Sequence, residues 1–138
     1  MRHTARETAF QTIYQIDLGG NHPELALKMM LEQETLSKTD VAFCTRLVRG
    51  VMGHLEEIDQ AIQQSTEGWT IDRMMSVNRN ILRLAVYEMM FCDDIPNKVA
   101  LNEAIELAKV FGDDDSRSFV NRILDKILNK IKNEEASV

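Results

Sequence analysis

The run from Arg73 to Phe91, RMMSVNRNILRLAVYEMMF, constrains the fold more than any other part of the chain. On a helical period, Met74, Val77, Ile81, Leu84 and Ala85 form one apolar row, and Met75, Leu82, Val86 and Met89 form the adjoining row. A helix apolar over so broad an arc needs neighbours on most sides, so the rest of the chain is expected to pack around it. Only a narrow stripe stays polar: Ser76, Arg79, Asn80, Arg83 and Tyr87. That stripe offers donors for a phosphate or a base and one aromatic face. The same helix therefore reads as core on one side and as a binding edge on the other.

The flanking segments continue the helical pattern. Thr4-Ala5-Arg6-Glu7 has the form of a capping box, in which a hydroxyl and a carboxylate satisfy free amides at a helix start. It predicts a first helix from about Ala5 to Leu18, burying Ala9, Phe10, Ile13 and Ile16 and stopped by Gly19-Gly20. Pro23 suits the first turn of a second helix with Leu25, Ala26, Met29 and Met30 inward. Ser37-Lys38-Thr39-Asp40 is the next start signal. After it Val41, Cys44, Val48, Val51, Leu55, Ile58 and Ile62 make a long seam. Gly50 and Gly53 interrupt that seam, each costing about 1 kcal/mol against Ala in a helix, and mark a bend or a close helix crossing.

Gln64 to Trp69 reads as a hinge, with Trp69 packed at the junction of two halves. A helix from Lys98 to Phe111 follows the turn at Pro96, and Gly112 fits a left-handed position at its end. Asp113, Asp114, Asp115 and Ser116 are cap-competent residues before a last helix built on Phe119, Val120, Ile123, Leu124, Ile127 and Ile131. The expected fold is thus all-α, with six or seven helices in two small packed bundles. The N-terminal subdomain spans about 1–66, the C-terminal one about 67–131, and 132–138 form a loose tail.

Composition agrees with one compact helical domain or two small subdomains sharing an interface. The chain has 138 residues, 44% of them hydrophobic, with only 6 Gly and 2 Pro, and no window alternates as strands do. The net charge of -6 excludes nucleic-acid binding by bulk attraction, so a polyanion must meet a local basic patch or arrive with a more basic partner. Cys44 and Cys92 lack metal or redox spacing and read as reduced core residues. No leader and no apolar run near about 18 residues is present, which points to a cytoplasmic protein that does not meet a membrane.

No nucleophile motif, phosphate loop or zinc motif occurs, so no enzyme activity and no cofactor is expected. His54 with Glu56 and Glu57 lacks a second His, and the carboxylates of Asp113 to Asp115 diverge around a helix start, so no metal site is expected either. For single-stranded RNA the chain offers scattered pieces: Arg2, His3 and Arg6; Arg79 and Arg83; and Asp115, Ser116 and Arg117 with Phe119 and Arg122. Guanidinium and aromatic planes stack on bases, and a carboxylate accepts from base amino groups.

Two segments give these pieces a context. RNILRLAVYEM followed by DIPNKVALNEAIELAKVFGDDDSRSFVNRILDKI closely resembles the C-terminal half of the NusB family of bacterial transcription antitermination factors, and RHTARETAFQTIYQ is similar to its first helix. The resemblance runs from Arg2 to about Ile131. It implies two helical bundles packed across each other, and binding of the boxA element of nascent ribosomal-operon RNA with the ribosomal protein NusE, in a complex that helps RNA polymerase pass terminators.

Residue by residue, the resemblance places the family's basic start on Arg2, His3 and Arg6, and its first-helix aromatic on Tyr14. The acidic residue associated with RNA falls on Asp115 and the aromatic after it on Phe119. Asn78 stands where the family usually has an acidic residue implicated in the complex, and with Arg79 and Tyr87 it makes the expected partner-facing set. Arg122 replaces a Gly and adds positive charge beside the RNA path. Two other readings remain: a NusB-like RNA-binding accessory domain of an RNA methyltransferase, and a helical dimerisation module that forms a homodimer.

Overall fold

The computed structural model describes residues 2–136. Its helices are α1 (Arg2–Gly19), α2 (Pro23–Gln33), α3 (Lys38–Gly53), α4 (Leu55–Gln64), α5 (Ser76–Phe91), α6 (Asn97–Phe111) and α7 (Ser116–Ala136), with a 3₁₀ turn at Ile71–Arg73 before α5. No strand occurs among the described residues, and the protein is all-α.

Helix α5 packs against α1, α3, α4, α6 and α7. Eleven of its sixteen residues are buried, including three of the five stripe residues, Asn80, Arg83 and Tyr87, and also Glu88. Apart from the meeting of α4 with α7, the principal contacts between α1–α4 and α6–α7 pass through it. The helix starts later than its apolar period suggests. Met74 and Met75 are extended, and Met75 sits outside the helix, 48% exposed.

Helix α1 begins at Arg2, ahead of the expected cap. Thr4 therefore lies inside the helix and no capping box forms. Its buried face is also wider than the apolar residues alone, because Thr8 and Thr12 donate back to the carbonyls of Thr4 (3.1 Å) and Thr8 (2.8 Å). A hydroxyl satisfied within its own helix can be buried at little cost. The Ser37 start signal is used as read, its Oγ accepting from the Asp40 amide at 3.1 Å.

The seam from Val41 to Ile62 is two helices. His54, at φ -125° and ψ 22°, closes α3 and opens α4, and its ring lies on Phe91 with centroids 4.0 Å apart. Gly50 is the close crossing: a Cβ there would fall 2.0 Å from Cζ of Tyr87. At the far end α7 continues to Ala136, so 132–136 are helical and not a loose tail, while Ser137 and Val138 lie outside the described residues. Lys130 anchors that extension by donating to the Gln64 carbonyl at 3.2 Å.

The two glycines of α3 should behave oppositely. Gly50→Ala is expected to destabilise by about 1–2 kcal/mol, because overpacking against a trapped ring outweighs the ~1 kcal/mol gained in helix propensity. Gly53→Ala, whose new Cβ meets nothing within 4 Å, should be neutral or slightly stabilising. Urea unfolding of both variants measures the difference, and equal behaviour would show that Tyr87 moves aside freely.

Candidate nucleic-acid interface

Most of the arginines on α5 and the inner part of α1 are committed inside the fold. Arg6 is 2% exposed. Its Nε reaches both Glu88 carboxylate oxygens (3.0 and 3.1 Å), its Nη2 reaches Oε1 at 2.7 Å, and Nη1 lies 3.6 Å from Glu103. Burial pushes the Glu88 carboxyl above its ordinary range, and the fork of Arg6 pulls against that shift. Breaking such a buried pair from one side costs about 3–5 kcal/mol. Arg6 is thus a fold residue, which corrects its assignment as a free RNA contact.

The polar stripe of α5 is also an internal tie. Arg79 donates to Asp17 Oδ2 through Nε (3.0 Å) and Nη2 (2.6 Å), and its Nη1 holds the carbonyls of Ile71 and Met74, both at 3.2 Å. Arg83 forks onto Asp59 at 2.8 and 2.9 Å, donates to Asn80 Oδ1 at 3.1 Å, and lies 3.3 Å from Asp17. Asn80 in turn donates to Asp17 at 2.9 Å. One carboxylate on α1 and one on α4 therefore receive the stripe. Arg79 and Arg83 are occupied by them and do not stand free toward a phosphate.

The rest of the expected partner set lies inward as well. Tyr87 is buried over Gly50 and stacked on Phe91 at 5.8 Å, and Asn78 is buried with an Oδ1 that has no hydrogen-bond partner among the described residues. An unsatisfied buried oxygen costs about 1–3 kcal/mol. The structure gives no compensation for that cost at Asn78.

What faces outward is a different set. Arg2 and His3 are exposed at the start of α1, with the Arg2 guanidinium 4.4 Å from the centre of the Phe43 ring. Tyr14 lies about 18 Å further along the same helix at ~1.5 Å rise per residue. Its ring packs on Phe10 (5.9 Å), and Phe10 packs on Phe111 at the end of α6 (4.8 Å). These rings border a groove of about 480 Å³ whose rim carries Gln11, Gln15 and Gln33. Aromatic floor and amide rim are suited to stacking and to reading base edges.

Beyond Phe111 the chain turns tightly into α7. Gly112 is extended (φ -92°, ψ -176°), not left-handed. It is required instead by close approach, since a Cβ would fall 2.4 Å from Ser116 Oγ and 2.7 Å from the Ala108 carbonyl. Ser116 is fully buried, accepting from the Asp113 amide (3.0 Å) and donating to Asp113 Oδ1 (3.1 Å), which also accepts from the Asp115 amide (3.0 Å). Ser116 therefore locks the turn and is not placed to touch RNA. The Asp113 carboxylate closes the turn ahead of α7, and the Asp115 side chain is left exposed.

Asp115, Phe119 and Arg122 follow at i, i+4 and i+7, one face of a helix. The Arg122 guanidinium sits 5.8 Å from the centre of the Phe119 ring. Arg117 is exposed on another side. Sequence patterns did not reveal the internal partners Asp17, Asp59 and Glu88, which lie 62, 24 and 82 positions from the arginines they bind. A signal did exist for two of them: Arg79 and Arg83 lie on the helix whose broad apolar arc already implied neighbours on most sides.

Fold and face together define a class: all-helical proteins that present rings, amides and a few unpaired charges along one side. A family model described as the NusB family matches residues 3–129. The transcription antitermination protein NusB of Desulforamulus reducens is 46% identical over 137 residues, spanning 99% of this chain and 95% of that protein. NusB of T. maritima superposes with a TM-score of 0.88 at 37% identity, covering 94% of this chain and 91% of that one. A crystal structure of antitermination factors NusB and NusE in complex with dsRNA gives 0.87 at 32% identity, covering 94% and 96%. The chain belongs to the NusB family.

Two predictions separate fold from face. Partial burial of Asp17 opposes its ionisation, but hydrogen bonds from Asn80 and Arg79 and the charges of Arg83 and Arg79 prevail and hold its carboxyl below the usual range. Its folded value thus lies below the unfolded value of about 3.9, so it stabilises the fold above that pH and the contribution is lost as pH falls through the folded value. Asp17→Asn should lower the Tm at neutral pH, with the gap to wild type narrowing as pH falls below about 4. A gap independent of pH would contradict this account. In the turn, Asp113→Ala should cost about 1 kcal/mol through the loss of its side-chain hydrogen bonds, whereas Asp115→Asn should stay within about 0.5 kcal/mol of wild type by thermal denaturation.

Proposed function

We propose that this chain is a transcription antitermination factor that binds the boxA element of nascent ribosomal-operon RNA together with the ribosomal protein NusE, within a cytoplasmic RNA polymerase complex. Membership in the NusB family supports the reading, as does the likeness to a NusB bound to NusE and RNA. The observation that carries it to particular residues is the division of labour at the start of α7. Asp113 and Ser116 secure the turn, so the exposed Asp115 and Arg122 have no structural duty that explains them, while the half-buried Phe119 between them packs on the core.

In this reading the RNA-contacting set is Arg2, His3, Tyr14, Asp115, Arg117, Phe119 and Arg122. Arg6, Asn78, Arg79, Arg83, Tyr87 and Ser116 support it from inside. A domain with net charge -6 that spends three arginines internally has little phosphate affinity of its own. NusE supplies that affinity, while this chain contributes ring and base-edge contacts that select sequence. The Desulforamulus relative, 46% identical over 137 residues, is a transcription antitermination protein, which favours that reading over a methyltransferase accessory domain.

Electrophoretic shift tests the reading. Tight binding of a boxA RNA should require NusE, Asp115→Asn should change the affinity of the ternary complex, and the salt dependence should correspond to only a few phosphates. Equal binding of a scrambled RNA of the same length would overturn the assignment.

A further inference from the structure

The single tryptophan of the chain has no explanation in the fold alone. Trp69 follows Gly68, whose φ of +75° sets the direction of the loop between α4 and α5. The backbone there is already tied down: the Trp69 carbonyl accepts from Gln63 Nε2 (2.8 Å) and Thr66 Oγ1 (3.0 Å), and Gln63 Oε1 accepts from the Ile71 amide (2.8 Å). Yet the indole stays 50% exposed. A loop that needed only an apolar anchor would gain by burying that ring, since an indole carries one of the largest apolar areas of any side chain.

Where the ring stands is informative. Its centroid is 6.5 Å from that of Phe119 and the two planes meet at 76°. Nearly perpendicular rings form a corner, and a flat base laid on an open face of one ring meets the other edge-on. The Arg122 guanidinium lies over Phe119 at 5.8 Å and makes no ion pair among the described residues. A half-exposed indole, a second ring partly buried against the core and an exposed planar cation, drawn from a loop and from α7, have the composition of a stacking platform for unpaired bases.

We propose that Trp69, Phe119 and Arg122 form a subsite for one unpaired nucleobase of single-stranded RNA, with the base stacked in the ring corner and Arg122 held against the base or its phosphate. The subsite extends the Asp115–Phe119 face onto the hinge loop and rests on the RNA-binding reading above. A protein ligand would not require an open aromatic corner beside an unpaired guanidinium. A base satisfies both.

The indole reports on its own occupancy. Titrating the chain and NusE with boxA RNA should quench indole emission in step with binding followed independently by anisotropy of labelled RNA, and the change should vanish in Trp69→Phe, which also blanks any signal from NusE. Trp69→Ala and Phe119→Ala should each weaken binding about tenfold, the loss of one stacked base, while Trp69→Phe retains most of the affinity. Arg122→Ala should reduce the slope of log affinity against log salt by about one if it meets a phosphate, and Arg122→Lys should restore that slope but not the full affinity. RNA binding by anisotropy with indole emission unchanged overturns the subsite and leaves the proposed function standing. No binding of boxA RNA by either readout in the presence of NusE overturns both. Because the wild-type titration needs no substitution, loss of folding in a variant does not remove the test.

Discussion

The carboxylate of Asp17 is where α1 and α5 are fastened. It receives Arg79, Asn80 and Arg83 from α5, and Arg83 carries the tie on to Asp59 of α4. The need for it follows from the position of α5. A helix surrounded on nearly every side must bury its polar residues along with its apolar ones, and a buried guanidinium is tolerable only if its charge and its donors are met. The second seam is solved the same way, by Arg6 and Glu88 between α1 and α5. Apolar packing holds the helices together without direction. The forks fix which turn of α1 and α4 faces which turn of α5, because a bidentate pair tolerates little displacement.

Spending arginines on the interior shapes what the surface can do. Arg6, Arg79 and Arg83 carry three of the sixteen positive side chains, and each would have to give up an internal carboxylate contact to neutralise a phosphate. The outward face is therefore rich in planes and edges: Tyr14, Phe119, Trp69, three glutamine amides and the carboxylates of Glu34 and Asp115. Such a face discriminates better than it attracts. That balance suits a protein that shares its ligand with a basic partner, and it is hard to reconcile with one that works alone on a polyanion.

The sequence made part of this legible. Apolar period placed α5 at the centre, and Ser37, Pro23 and Pro96 marked helix starts, because those signals act over a few residues. The break at His54 was marked only by the neighbouring Gly53, read as a bend or a close crossing, since the seam from Val41 to Ile62 keeps its period across it. At the break His54 stacks on Phe91, a contact 37 positions away. The arginines were misread for the same reason: a guanidinium in a helix looks identical whether its carboxylate is solvent-side or 62 residues distant. Gly112 was recognised as necessary on the wrong ground, its backbone being extended and its constraint being the approach of Ser116. Local chemistry was readable and the pairing of distant polar groups was not, although the burial expected of α5 already implied that partners had to exist.

The turn between α6 and α7 shows why the same few residues can be both structural and free. Its lock is built from the smallest groups available: the bare backbone of Gly112, the hydroxyl of Ser116, and the short carboxylate of Asp113. These reach only their immediate neighbours, so the turn is rigid without drawing on any long side chain. Asp115, Phe119 and Arg122 then rise from a helix start whose orientation is already fixed. Side chains held on a rigid element lose less entropy when a ligand orders them. With the Asp113 carboxylate closing the turn on the Asp115 amide and the Ser116 hydroxyl, the Asp115 side chain is left exposed at the start of α7.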